Sequence, residues 1–392
     1  MKDKETEGRR DAGQAKKRRP LRSAAIFIVI AAAVFAVVAF AAYRDGTGFD
    51  VLSRYFSYGK AEEAGGAAVY DYDADSSNRF AVLGEYLLVL SETNLALLND
   101  QGGEVWSRSV KMAAPALHVG GGRAVAYDVG GTELYVADSK GAVQAVSAAE
   151  LPGALISATV NEKGWLAVTT EMKNKKGCVT VFDDVLEPRF AFRSSNRFVL
   201  DGYVTDDCKN LAAVTLGQEE STFVSNIVLY DLTEQEPYAN YDITDGLVVS
   251  IGQSGEELVT VSDTGLTIAE TDGTIKVSYP YGGAYLREYT MEGEGFTALL
   301  LNRYSSGSVG RIVTIGEDGT ELGTLDVNEE VVNLSAAGRY LAVLYASRLV
   351  IYNPDLQVYA TLSGTDYARC VLVRPDGSAL LAGSESAELF LP

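Results

Sequence analysis

The sequence predicts an all-β fold, an eight-bladed β-propeller behind one N-terminal transmembrane helix. Three observations carry that expectation: a recurring unit of two apolar runs around a polar break, a period matching one blade, and a last copy that lacks a strand. "GRYLAVLYASRLVIYNPD" (338–355) shows the unit. "GEYLLVLSETNLALLND", beginning at Gly84, matches it without a gap, with Leu95 against Leu349, Leu97 against Ile351 and Asn99 against Asn353. Looser copies start at Gly122, Gly164, Asn210, Gly255, Gly295 and Gly377, so the differences between successive starts are 38, 42, 46, 45, 40, 43 and 39. A four-stranded propeller blade occupies roughly 40–45 residues. Seven blades is the alternative count.

Each unit supplies four strands. An apolar run precedes each start (RFAVL, ALHV, LISATV, FVLDGYV, LVVSI, YLREYT, VVNLS, ARCVLV). The two runs of the unit follow, then a polar turn such as NDQGG (99–103) or GEDG (316–319), then a further run such as VWSRSV, IKVSY or VYATLS. Val, Tyr, Leu and Thr fill the runs while Gly, Asp and Asn separate them, which is strand chemistry with turn punctuation. A four-stranded sheet cannot bury both faces alone, so the copies are expected to stack around a ring. The eighth copy ends at AELFLP without an outermost strand, and "AAVYDYDA" (67–74) has no partner ahead of the first copy. The expected domain is therefore 67–392, closed by strand 67–74 joining the last blade and so removing two open sheet edges.

Composition changes ahead of that domain. Residues 1–23 hold nine Lys or Arg against four acids, about +5, and are expected to form a basic cytoplasmic tail. Residues 24–42, AAIFIVIAAAVFAVVAFAA, run nineteen positions without a charge. At 1.5 Å per residue such a helix rises about 28 Å and spans a bilayer core. The basic flank stays inside, so the expected location is the cell membrane, single-pass, with a cytoplasmic N-terminus and an extracytoplasmic propeller. A cleavable signal peptide ending near "AFA" (39–41) is the alternative. Residues 43–66 form a juxtamembrane tether. It contains Phe49, Leu52 and Phe56 at helical spacing and then the small-residue stretch EEAGGAA.

The whole chain carries a formal charge of −20, so the part after residue 23 carries about −25, from −20 − (+5). Nucleic acid and anionic lipid are poor partners for such a domain. Cys178, Cys208 and Cys370 fall in different units without metal spacing; they read as free thiols, with a Cys178–Cys208 bridge as the alternative. His118 is the one histidine and lies in an inner run, so it reads as structural, and no His-rich metal site can be built. Asp71, Asp73 and Asp75 open like a calcium loop, but Ser76 and Val82 replace the Gly and Glu that the loop needs. No catalytic, cofactor-binding or metal-ligating residue is assigned, and no cofactor is expected.

"NDQGGEVWSRSV", with Asp100, Gly103 and Trp106, resembles the blade motif of quinoprotein-like and WD40-like eight-bladed propellers. The resemblance implies that Trp106 docks against the neighbouring blade. Trp165 lies elsewhere in its unit, and the other units put small or apolar residues at the docking place. The layout of basic tail, anchor and outward propeller also resembles an uncharacterised family of membrane-anchored propellers of Gram-positive bacteria. The function expected is a non-enzymatic scaffold that binds a membrane- or surface-bound protein or an envelope polymer, with the lipid bilayer contacted only through the N-terminal helix. The alternative is an extracytoplasmic enzyme, quinoprotein-like or a carboxylate-based glycosidase or lyase, with its site in the central channel. The polar connections 171–177, 217–225 and 302–310 all join the second and third strands of their units and are expected to form the contact face. First-to-second and third-to-fourth connections are expected on opposite faces of the ring.

Overall fold

Seven of the eight copies begin with glycine for a shared geometric reason. Gly84, Gly122, Gly164, Gly255, Gly295, Gly338 and Gly377 all have φ between 52° and 81°, in the left-handed region, where the chain turns from the first strand of a blade into the second. Asn210 starts the remaining copy, and there Cys208 takes the left-handed position at φ 61°. The computed structural model of the chain describes residues 69–144, 151–219, 222–243 and 246–392, together with Asp50 and Arg54. The chain divides into two units, 1–59 and 60–392, and every described strand belongs to the second. The tail (1–23), the apolar stretch (24–42) and the tether (43–66) lie outside the described residues except for Asp50 and Arg54. Among the described residues no helix is long and apolar enough to cross a membrane.

The described residues form 32 strands in eight four-stranded sheets. Blades 1 to 7 are sequential meanders at 79–109, 115–144, 155–194, 198–243, 248–280, 285–327 and 331–363. Blade 8 takes three strands from 370–390, and its outer strand is Val69–Asp71, antiparallel to Ser386–Phe390 with Val69 opposite Glu388 and Asp71 opposite Ser386. Successive innermost strands are neighbours around the ring, including those of blades 8 and 1, and those of blades 5 and 6 meet where Gly252 faces Met291. The fold is an eight-bladed propeller.

The core lies between blades. Middle strands are buried on both faces, as in Leu166–Thr170 and Tyr340–Tyr345, where every residue is buried. That is why they read as continuous apolar runs. Outer strands such as Ile275–Pro280 and Glu104–Ser109 alternate between exposed and half-buried positions, because one face meets solvent. Each inter-blade cluster joins the sheets of two neighbours, as when Leu88, Leu95 and Leu97 of blade 1 pack with Ala124, Ala126 and Tyr135 of blade 2. Trp106 docks as its motif implies, its indole Nε1 donating to the Asp138 carbonyl of blade 2 at 3.1 Å.

Two local expectations are corrected. Residues 217–219 and 222–225 are not a loop: the second and third strands of blade 4, Asn210–Glu219 and Thr222–Asp231, stay in register from Asn210 opposite Asp231 out to Glu219 opposite Thr222. The polar stretch is a hairpin arm, because backbone pairing continues whatever the side chains are. Four antiparallel strands also place the first-to-second and third-to-fourth connections on one face together, not on opposite faces. Second-to-third and blade-to-blade connections share the other face.

Candidate functional site

The two faces of the ring differ in chemistry. Third-to-fourth connections turn on an Asp or Asn whose side chain accepts the amide two or more residues on. The series is Asn99 with Gln101, Asp138 with Lys140, Asp183 with Val185, Asp231 with Thr233, Asp272 with Thr274, Asp318 with Thr320 and Asn353 with Gln357. The hydroxyl and amide of Thr320 hold Asp318 below the ordinary carboxylate range. Much of the acid content on this face is thus turn chemistry. Exposed Asp184, Glu234, Glu236, Glu256, Glu294, Glu317 and Asp355 add to it, so this is the acidic face. The chain enters the ring on this face at Val69, which lies at the end of its strand nearer the third-to-fourth turns.

The opposite face carries the connections 171–176 and 303–309 and the hairpin arm of blade 4. It also exposes aromatics: Phe198 is 53%, Phe223 66% and Tyr304 60% accessible, and Tyr285 and Tyr367 are exposed as well. Three clefts open here. One of about 610 Å³ between blades 3 and 4 is lined by Met172, Lys173, Lys175 and Lys176 with Ile156, Phe198, Leu200 and Leu216. Two others, about 510 and 480 Å³, flank the 303–309 connection, with Arg303 and Arg311 in one and Arg287, Glu329 and Glu330 in the other.

Inner strands of blades 3 to 7 each carry a β-bulge, between Leu155 and Ser157, Val199 and Asp201, Val248 and Ser250, Leu286 and Glu288, and Val331 and Asn333. In each the residue after the skipped position is polar, and several of these join blade to blade. Ser157 Oγ donates to Asp201 at 2.6 Å, Asn333 Nδ2 to Glu288 at 2.7 Å, and the Val371 amide to Asn333 Oδ1 at 2.8 Å. Burial pushes Asp201 up to about 6, although Ser157 and the Gly202 amide pull it down, and burial also raises Glu288. A bulge leaves one residue outside the ladder and re-aims its neighbours. Here it presents Ile156 and Leu200 to the cleft between blades 3 and 4.

At the acidic end of the channel the carboxylates also stitch blades. Glu162 accepts the Gly121 amide at 3.2 Å, and Asp206 accepts the Glu162 amide at 3.3 Å and the Tyr203 hydroxyl at 3.0 Å. Glu292 is raised by burial and then by the charge of Glu162. His118 Nδ1 accepts the Val160 amide at 3.3 Å, and burial lowers its pKa to about 4. The three thiols are free. Cys178 lies at the second-to-third end of its strand and Cys208 in a first-to-second turn, so they belong to opposite faces and no bridge joins them. Asp75 Oδ1 is occupied by the amide and hydroxyl of Ser77, and among the described residues no group of acids, His and Cys is arranged for a metal.

Known structures share this architecture. The C-terminal WD40 domain of Sif2 aligns over 82% of this chain and 97% of its own, at 14% identity and a TM-score of 0.58. The quinohemoprotein alcohol dehydrogenase ADHIIG of Pseudomonas putida HK5 aligns over 82% and 72%, at 10% identity and a TM-score of 0.50. A eukaryotic initiation factor aligns over 80% and 84%, at 10% identity and a TM-score of 0.50. At such identities the likeness is one of fold alone. No curated protein matches the chain. Residues 59–358 match a family of unknown function, DUF5711, across most of the ring, and the chain belongs to that family.

Proposed function

We propose that this protein is a membrane-anchored, extracytoplasmic scaffold that binds a membrane- or surface-bound protein or an envelope polymer through the face carrying 171–176, the blade-4 hairpin arm and 303–309. One observation carries the reading: three clefts, the connections 171–176 and 303–309, the hairpin arm and most exposed aromatics gather on the face opposite the one through which the chain enters the ring, while the acidic face has one cleft of about 510 Å³ at Arg123, Asp138, Lys140 and Asp184. Aromatic and cationic side chains around clefts are what protein contact surfaces use as anchors. The basic arm followed by nineteen uncharged residues supports anchoring with the ring outside. A tether holds the ring in a thin layer above the bilayer, where effective concentration favours partners that are themselves immobilised. The likeness to the layout of membrane-anchored propellers points the same way.

The test is to shorten 171–176 and 303–309 to two-residue turns and trim the hairpin arm to Leu216 and Ser225. Cross-linking capture from whole cells is expected to be lost while the melting temperature of the ring stays within a few degrees. Unchanged capture overturns the reading. The enzyme alternative draws on Glu292, raised by burial and then by the charge of Glu162, since a carboxyl held protonated near a second acid is general-acid chemistry. Glycoside or polysaccharide turnover abolished by Glu292→Gln would favour it.

A further inference from the structure

The ring is strongly acidic, yet one connection on the candidate face reads EMKNKKG (171–177). Lys173, Lys175 and Lys176 stand together there, with Arg193 near the end of the adjoining outer strand, and all four are exposed. None of them forms an ion pair with another described residue, while Arg189, Lys209, Lys276 and Arg348 elsewhere on the ring all do. Their local contacts leave the charges unneutralised: Lys175 Nζ donates to Ser195 Oγ at 2.6 Å, and Lys176 Nζ lies 4.3 Å from the Phe198 ring centroid.

These lysines rim the cleft of about 610 Å³ between blades 3 and 4, and its lining is apolar: Ile156, Met172, Phe198, Leu200 and Leu216. Glu171 is the one acid in the lining. Two of the apolar residues are there because of the bulges, which take Ile156 and Leu200 out of the ladders of their strands. Phe223 stands exposed on the neighbouring hairpin arm. A ligand that satisfies this arrangement carries at least two negative charges beside a bulky apolar group.

We infer that the cleft between blades 3 and 4 receives an acidic linear peptide segment of a partner protein, with a large apolar side chain seated on Ile156, Leu200 and Leu216 and flanking carboxylates at Lys173, Lys175 and Lys176. This rests on the proposed scaffold function and names the partner chemistry at that face. A protein segment is favoured over a uniformly charged polymer because the floor of the cleft is apolar. Charge complementarity to an acidic ring is local here, so it selects for this cleft alone.

The test uses the full chain in detergent and a dye-labelled nonapeptide repeating Glu-Glu-Phe, read by fluorescence anisotropy. Saturable binding is expected, weakening at least tenfold for K173S/K175S/K176S, for the Gln-Gln-Phe peptide, for the Glu-Glu-Ser peptide and at high salt. These surface lysines are in no core cluster, so the variant is expected to melt like the parent. Equal binding by the variant overturns the proposal, as does lysine-dependent binding of polyphosphate without binding of the peptide. Whole-cell capture separates this from the scaffold function. Capture lost on shortening the connections but retained by the lysine variant overturns the cleft assignment and leaves the face standing.

Discussion

Asp201 and His118 face the same problem, a half-buried titratable group on an inner strand, and resolve it with opposite signs. Burial raises Asp201 to about 6, so the folded state binds its proton more tightly than the unfolded chain does. Its stabilising contribution is present below the ordinary value of 3.8 and is lost as pH rises through 6. At neutral pH the ionised carboxylate then costs on the order of 2–3 kcal/mol. Burial lowers His118 from 6.5 to about 4, so its contribution is full above 6.5 and is lost as pH falls towards 4. The two slopes oppose each other between about 4 and 6. Asp201→Asn keeps an acceptor for Ser157 Oγ and removes the ionisation. Urea midpoints are expected to rise for this variant at pH 7 and to converge with the parent near pH 4. A loss of stability of the same size at both pH values would mean that the carboxylate is not strained by burial.

At the scale of elements the informative piece is the three-residue strand Val69–Asp71. Tyr70 is fully buried, and its hydroxyl reaches the Asp100 carbonyl of blade 1 at 3.4 Å. The 99–103 turn of blade 1 packs so closely that a Cβ on Gly102 would lie 2.1 Å from the Val69 carbonyl oxygen. Gly130 has nearly the same backbone, φ 80° against 79°, with nothing within 4 Å of a Cβ. Gly130→Ala is therefore expected to cost only the left-handed penalty of about 1–2 kcal/mol. Gly102→Ala is expected to cost clearly more, because it also pushes on the closing strand. Thermal melts of the two variants compare them directly, and equal losses would show that the contact with Val69 contributes nothing. Deleting 67–71 is expected to lower the melting temperature further by opening the edge of Ser386–Phe390.

The same elements show what the sequence could disclose. Blade number was legible because one turn geometry selects glycine again and again and because doubly buried middle strands leave apolar runs. The blade-4 arm reads as a loop because Gly-Gln-Glu-Glu-Ser has loop composition, although its backbone stays paired to Glu219. The bulges left no trace, since one extra residue hardly alters the pattern of a strand with both polar and apolar positions. Lys173, Lys175 and Lys176 were visible as a polar connection. Their cleft was not, because Ile156, Leu200 and Leu216 come from three strands of two blades.

For the whole molecule the decisive quantity is sidedness. The chain enters the ring at the acidic face, and its last strand, Ser386–Phe390, runs antiparallel to Val69–Asp71 and so also ends there, two residues before Pro392. A domain fused after Pro392 therefore projects from the acidic face, clear of the lysine-rimmed cleft on the other side. A domain inserted at 305–308 instead stands on the contact face, between two of its clefts. With a basic arm ahead of the nineteen uncharged residues, a C-terminal reporter active only outside the cytoplasm is expected to be active, and the mature protein is expected to retain residues 1–42. The same fusion is expected to capture partner at the parental level, whereas the insertion at 305–308 abolishes capture without lowering the melting temperature. A processed, freely secreted form starting near Ala42 would overturn the anchor. Loss of capture by the C-terminal fusion together with normal capture by the insertion would reverse the assignment of faces and place recognition on the acidic side, where the carboxylates around Glu162 and Glu292 would become the residues to substitute.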